Sequence, residues 1–161
     1  MLRCCLVFAL AAACGDDAPP APPAPPAKGA PSASSALPDR VKYDQILVVF
    51  QGSYEKVASR RRREDARALA YSILDRLQSG IDFEWLKQEH SDDRNEESGV
   101  ALGPYDTVRD GVPRRGAEIP LSHLYKGLAE IVYRLKVGEI GIVDFDEERF
   151  PIGWLVVKRL E

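Results

Sequence analysis

The chain has 161 residues, room for one domain and a tail. Its 22 Lys plus Arg nearly balance 25 Asp plus Glu, and the net charge of -3 speaks against a nucleic-acid binder that relies on bulk positive charge. All three cysteines, Cys4, Cys5 and Cys14, are N-terminal, which excludes a disulfide framework or a cysteine zinc site further along. Two histidines, His90 and His123, leave little for a His-rich metal centre.

The N-terminus reads as an address. A basic start ending at Arg3 leads into a ten-residue apolar run, Cys4 to Ala13, too short for the roughly 18 residues of a membrane span but suited to an export signal. The following Leu10-Ala-Ala-Ala13-Cys14-Gly15 resembles the lipobox of bacterial lipoproteins, with Ala11 where Leu is usual. That resemblance implies a signal peptide over 1–13, acylation of Cys14 and a membrane anchor. The other reading is an ordinary signal peptide cut at an Ala-x-Ala site. Residues 15–40 then carry eight of the twelve prolines and seven alanines. Such a stretch has no large side chains to bury and is biased to extended polyproline II. It reads as a stalk, so 14–40 is expected to tether a domain over 41–161.

Val41 to Phe50 is a strand candidate, apolar enough for burial on both faces. A long helix is predicted from about Tyr54 to Gln78, with Ala66, Leu69, Ala70, Ile73 and Leu77 forming one apolar stripe and Ser79-Gly80 stopping it. Asp82 is placed to cap a short helix, Phe83 to Glu89. Ser91 to Ser98 reads as a polar loop, Ala101 to Tyr105 as a brief strand, and 106–120 as another loop. Ser122 is expected to cap a third helix, His123 to Leu135. Two strands, Ile140 to Phe145 and Ile152 to Leu160, follow around an acidic turn. Strands and helices mix without regular alternation, so α+β is favoured over a doubly wound α/β fold.

Six short words in this order resemble the parvulin-type peptidyl-prolyl isomerases. Gln45-Ile46-Leu47-Val48 stands where the family's first strand reads His-(Ile/Leu)-Leu-Val. Leu77-Gln-Ser-Gly80-Ile-Asp82-Phe83 matches the end of its first helix, and Ser91-Asp92-Asp93 its Ser-Asp loop. Gly99-Val-Ala-Leu102-Gly103 stands for Gly-Gly-Asp-Leu-Gly, Leu135-Lys-Val-Gly138-Glu139-Ile140 for the third helix and its exit, and Gly153-Trp154-Leu155-Val156-Val157 for the last strand. The resemblance implies a parvulin-like, FKBP-like superfold with a small, mostly antiparallel sheet and about three flanking helices.

It also implies an isomerase of X–Pro bonds that needs no cofactor and no metal. Its partners would be proline-containing or unfolded polypeptide segments, and its place the bacterial cell envelope, facing the periplasm. On the family's positions, Asp93 and Gln45 are the candidate catalytic residues, and Leu124, Leu128 and Phe145 the candidate substrate-binding residues. The family's two core histidines are replaced by Gln45 and Leu155, and the Asp of its Gly-Asp-Leu-Gly by Ala101. A polar amide in place of one imidazole and an apolar side chain in place of the other keep the fold and point to weak or altered catalysis. The runner-up reading is a non-catalytic peptide-binding or chaperone module. Each residue also has a bland role: Asp93 bracing a turn, Gln45 serving a strand backbone, and Leu124 and Leu128 filling core at helical spacing.

Overall fold

A computed structural model describes residues 37–161. Strand β1, Arg40–Val48, lies at the centre of a five-stranded sheet of order β3-β2-β1-β5-β4. Its neighbours are β2, Tyr105–Val108, and β5, Trp154–Arg159, both antiparallel to it. Strand β4, Ile140–Val143, pairs antiparallel with β5, while the two-residue β3, Ile119–Pro120, runs parallel to β2. The sheet is therefore mostly antiparallel and the class α+β, as the sequence predicts.

The continuous apolar run of β1 is explained by burial on both faces. Val41, Tyr43, Leu47 and Val49, with Leu155 and Val157 of β5, pack on Leu128, Ile131, Val132 and Leu135 from helix α3, Lys126–Arg134, and its end. Ile46, Val48, Trp154 and Val156 face the other way. They pack on Ala66, Ala70, Ile73 and Leu77 of α1, Arg63–Gln78, and on Phe83 and Leu86 of α2, Phe83–His90.

Helix α1 ends as expected. Gly80, at φ +91, takes a left-handed conformation that a side chain disfavours. Its N–H bonds the Leu77 carbonyl and the Ile81 N–H bonds that of Arg76, which satisfies the last carbonyls. Asp82 caps α2 by accepting from the Trp85 N–H at 2.8 Å.

Several expected boundaries move, and the strand expected over Ala101 to Tyr105 is only a bridge at Ala101, with β2 beginning at Tyr105. Helix α1 starts at Arg63, not Tyr54, because the intervening chain bonds back to the end of β1. The Gln51 N–H donates to the Arg61 carbonyl, and the Arg61 guanidinium and Ser59 hydroxyl both reach the Val49 carbonyl. Helix α3 starts at Lys126. A 3-10 turn, Leu121–His123, precedes it, and the Ser122 hydroxyl donates to Asp110 rather than capping. The expected loop over 106–120 contains β3 and most of β2. There Thr107 is buried and its hydroxyl donates to the Ile119 carbonyl at 2.8 Å, closing the parallel pair.

Candidate active site

The Ser91-Asp92-Asp93 segment leaves α2 and is stitched to β1 residue by residue. The Ser91 hydroxyl accepts from the Leu47 N–H at 3.2 Å, and the Asp92 N–H donates to the Leu47 carbonyl at 2.7 Å. The Asp92 carboxylate accepts from the Val49 N–H and takes a two-point contact from Arg61 at 2.5 and 3.1 Å. These bonds use up Ser91 and Asp92 in fixing the loop. Asp93, the next residue, is thereby aimed at the α3 face of the sheet.

There Asp93 Oδ2 accepts two hydrogen bonds, from Gln45 Nε2 at 2.8 Å and from the Tyr105 hydroxyl at 2.6 Å. Tyr105 is cross-strand partner to Tyr43, and their rings stack at 5.7 Å. Burial, then the hydrogen bond to Asp93, drives the Tyr105 pKa far above its ordinary value. Burial, then the charge of Asp93, does the same to Tyr43. Both phenols are thus fixed as neutral groups, and the Tyr105 hydroxyl is fixed as a donor.

The Gln45 amide is oriented by this contact. A carboxylate oxygen takes only a donor, so Nε2 must face Asp93 and Oε1 must face away. Oε1 is buried and has no hydrogen-bond partner among the described residues. A buried acceptor left unpaired costs about 1–3 kcal/mol.

Beside this group lies a pocket of about 220 Å³, with Gln45, Tyr105, Leu124, Leu128, Phe150 and Leu155 among its lining. It is below the roughly 300–1,000 Å³ of sites that take drug-sized ligands, and matches a single small ring with its flanks. Its walls are mostly apolar, with the polar edge at one side. Four wider hollows, among them one of about 310 Å³ beside Arg63 and Trp154 and one of about 490 Å³ beside Leu37 and Tyr133, share no lining residue with it.

The structure brings together four of the expected residues, Gln45, Asp93, Leu124 and Leu128. It does not bring Phe145 to them. Strand β4 stops at Val143, so the alternation that would turn residue 145 toward α3 breaks. Phe145 instead packs on Phe50 and Trp154 on the α1 face, under the Arg63 guanidinium at 4.4 Å. Phe150, buried at the end of the same turn, lines the pocket. Cys14 lies outside the described residues.

Residues beyond those expected also line the pocket. Tyr105 follows Gly103-Pro104 at a strand start, and its aromatic ring there was the available signal. Phe150 was marked only as a large apolar residue inside an otherwise acidic turn. His123 reaches the rim from the 3-10 turn. Leu155, which replaces a family histidine, lines the pocket and is buried. Ala101 is not part of the lining; it bridges to Arg94, and its N–H donates to Gln88 Oε1 at 3.2 Å.

Behind the site, Lys87 is buried and bonds Asp44 at 2.8 Å and Glu84 at 2.7 Å. Asp44 in turn accepts the N–H of Gln45 itself at 2.9 Å. Gly103 closes over this group: a Cβ there would lie 2.4 Å from Asp44 Oδ1, and its φ of +113 is one that side chains rarely adopt. The glycine matching the family's motif is thus required by a close approach to a buried carboxylate. Among the described residues, no group of three or more His, Cys, Asp or Glu could hold a metal ion.

A family model described as PPIC-type PPIASE domain matches residues 32–160. The chain belongs to this family of peptidyl-prolyl isomerases. The match spans the sheet, the three helices and the pocket, in agreement with the order of sequence words and with the α+β fold. No curated protein matches the chain.

Proposed function

We propose that this PPIC-type domain is an envelope-tethered peptidyl-prolyl cis-trans isomerase of low activity, acting on X–Pro bonds of exported or folding proteins. The observation that carries the reading is the apolar pocket of about 220 Å³ bordered by the Gln45–Asp93–Tyr105 group. Turning an X–Pro bond needs no nucleophile. The barrier is amide resonance, about 18–20 kcal/mol, and uncatalysed exchange takes tens to hundreds of seconds. A catalyst has to hold the proline ring and bind the twisted amide more tightly than the planar one.

In this reading Leu124, Leu128 and Phe150 hold the ring, the last in the role first expected of Phe145. Gln45 and Asp93 set the polarity on the carbonyl side, where a carboxylate disfavours the planar amide's partial negative oxygen. Low activity follows from Leu155, which offers no hydrogen bond where the family has an imidazole. The same residue supports the second reading, a peptide-binding module without catalysis. The tether rests on the apolar run, Cys14 and the proline-rich stretch, and mass spectrometry of Cys14 from membrane fractions tests it; an unmodified thiol would remove the anchor.

The function is tested by exchange NMR on short X–Pro peptides with the purified full chain. Faster cis–trans exchange, reduced by Asp93→Ala and by Leu128→Ala, supports the isomerase. Peptide line broadening or shifts without faster exchange support the binding module. Neither effect overturns both.

A further inference from the structure

The pocket at Gln45 has a floor and a rim that differ in exposure. Tyr43, Leu128, Phe150 and Leu155 are buried and form the floor, while His123 and Tyr125 are exposed and stand at the mouth. No Lys, Arg, Asp or Glu is among the lining residues, although these make up 29% of the chain. A charged side chain entering the mouth therefore meets no opposite charge in this wall.

Tyr125 is the large aromatic group of the rim. It is 43% exposed, and its ring stands T-shaped to that of Phe150, with centroids 5.5 Å apart and planes at 82°. Phe150 thus orients the ring and leaves part of it bare. The backbone beside it is held as well. The Gly127 N–H donates to the Arg149 carbonyl at 3.1 Å, and a Cβ on Gly127 would lie 3.4 Å from the Phe150 Cβ. The start of α3 is thereby fixed against the turn that carries Phe150. A ring held in place by its neighbours binds with little further ordering cost.

The strand order sets the direction of a bound segment. Gln45 on β1 and Tyr105 on β2 make the polar edge, whereas Phe150 enters β5 from the turn after β4, on the other side of β1. A segment with its proline ring on the floor and its X–Pro carbonyl at the polar edge crosses the mouth toward Tyr125. The residue it brings there is the one after proline.

We propose that Tyr125 is a specificity residue: its bare ring packs on the side chain that follows proline, so the site prefers X–Pro–Y segments whose Y is aromatic. The inference rests on the pocket being the X–Pro site and adds to that reading a preference on the C-terminal side of the proline. The contact is ring against ring, and the Tyr125 hydroxyl is not needed for it.

The test titrates three peptides into the full chain by NMR. They are acetyl-Ala-Ala-Pro-Ala-amide, acetyl-Ala-Ala-Pro-Phe-amide and acetyl-Ala-Phe-Pro-Ala-amide. The unmodified chain is expected to bind the peptide with Phe after proline about three-fold or more tightly than the all-alanine one, the scale of one aromatic pair. In Tyr125→Ala that ratio is expected to fall by at least half, and in Tyr125→Phe to persist. The ratio is taken within each variant, so a general loss of stability does not move it. Equal binding of the first two peptides by the unmodified chain overturns the inference, needs no variant to fold, and leaves the X–Pro site standing. A ratio unchanged in Tyr125→Ala, or lost in Tyr125→Phe, overturns the ring contact. A Tyr125-dependent gain for Phe before proline rather than after it reverses the direction of the segment and also overturns the inference. Binding of none of the peptides overturns the X–Pro site, and this inference with it.

Discussion

The Tyr105 hydroxyl donates to Asp93 at 2.6 Å, and Asp93 in turn accepts from Gln45, so one carboxylate oxygen sets two side chains of the pocket. Asp93→Ala removes the acceptor from both donors at once. Hydrogen bonds to a charged group contribute about 1.5–3 kcal/mol each, and losing both is expected to lower stability by about 2–4 kcal/mol, since partial exposure lets water replace some of it. Asp93→Asn keeps one acceptor oxygen and should cost less than half as much. Urea unfolding of the two variants checks the order. An Asn variant as unstable as Ala would mean that the charge, not the acceptor, matters most.

The two tyrosines fix the pH dependence. Both phenols have pKa values raised far above the ordinary value of about 10, first by burial. For an acid whose folded pKa is raised, the stabilisation is fully present below the unfolded pKa. It is lost as pH rises from there toward the folded pKa. Stability should thus be flat across neutral pH and fall from about pH 10 upward. Tyr105→Phe is expected to make that alkaline fall shallower while lowering stability at pH 7. Denaturant midpoints at pH 7, 9, 10 and 11 measure it, and an unchanged slope in Tyr105→Phe would assign the alkaline loss elsewhere.

Much of this was legible before any coordinates. Gly80 and Asp82 carry strong local signals for a helix stop and a helix cap, and each is satisfied by chain neighbours within five residues. The apolar stripes of α1 and α3 identify the core faces for the same reason. What was misread depends on contacts far along the chain. Arg61 sits in a run that suits a helix, yet its guanidinium bonds Asp92 and the Val49 carbonyl, and the helix starts beyond it. Tyr105 gave no sign that its hydroxyl reaches Asp93. Phe145 is a pocket candidate only by the family resemblance, and pairing of β4 stops at Val143, short of it. Within the run Arg60 to Arg63 the side chains divide among different tasks: Arg61 pairs with Asp92, Arg62 with Asp65, and Arg63 covers Phe145.

The buried Lys87 group supports the site from behind. Burial alone pulls the Lys87 ammonium pKa down, but hydrogen bonds to Asp44 and Glu84 outweigh it and hold it above the ordinary lysine value. Removing one partner of a buried pair leaves the other uncompensated, at about 3–5 kcal/mol. Lys87→Met is expected to lose that amount and to disturb Gln45, whose N–H bonds the same Asp44. The double variant Asp44→Asn with Lys87→Met should recover part of the loss, because no buried charge then lacks a counterion. Chemical denaturation of the single and double variants measures this. A double variant less stable than Lys87→Met would show that the Asp44 charge is favourable on its own.

Phe145 and Leu128 separate the two faces of the sheet. Leu128 is buried and lines the pocket, so Leu128→Ala should cost about 2–5 kcal/mol and also weaken X–Pro peptide binding. Phe145 lies against Phe50 and Trp154 on the α1 face and is only half-buried, so Phe145→Ala should cost less than the roughly 3–5 kcal/mol of a fully buried phenylalanine. It should leave peptide binding within about two-fold of the unmodified chain, since additivity holds for sites without shared partners. Titrating one X–Pro peptide into both variants, at a temperature where each is folded, distinguishes the faces. If Phe145→Ala weakened binding as much as Leu128→Ala, the X–Pro segment would have to lie on the α1 face, near the hollow lined by Arg63 and Trp154, and the pocket at Gln45 would lose its role.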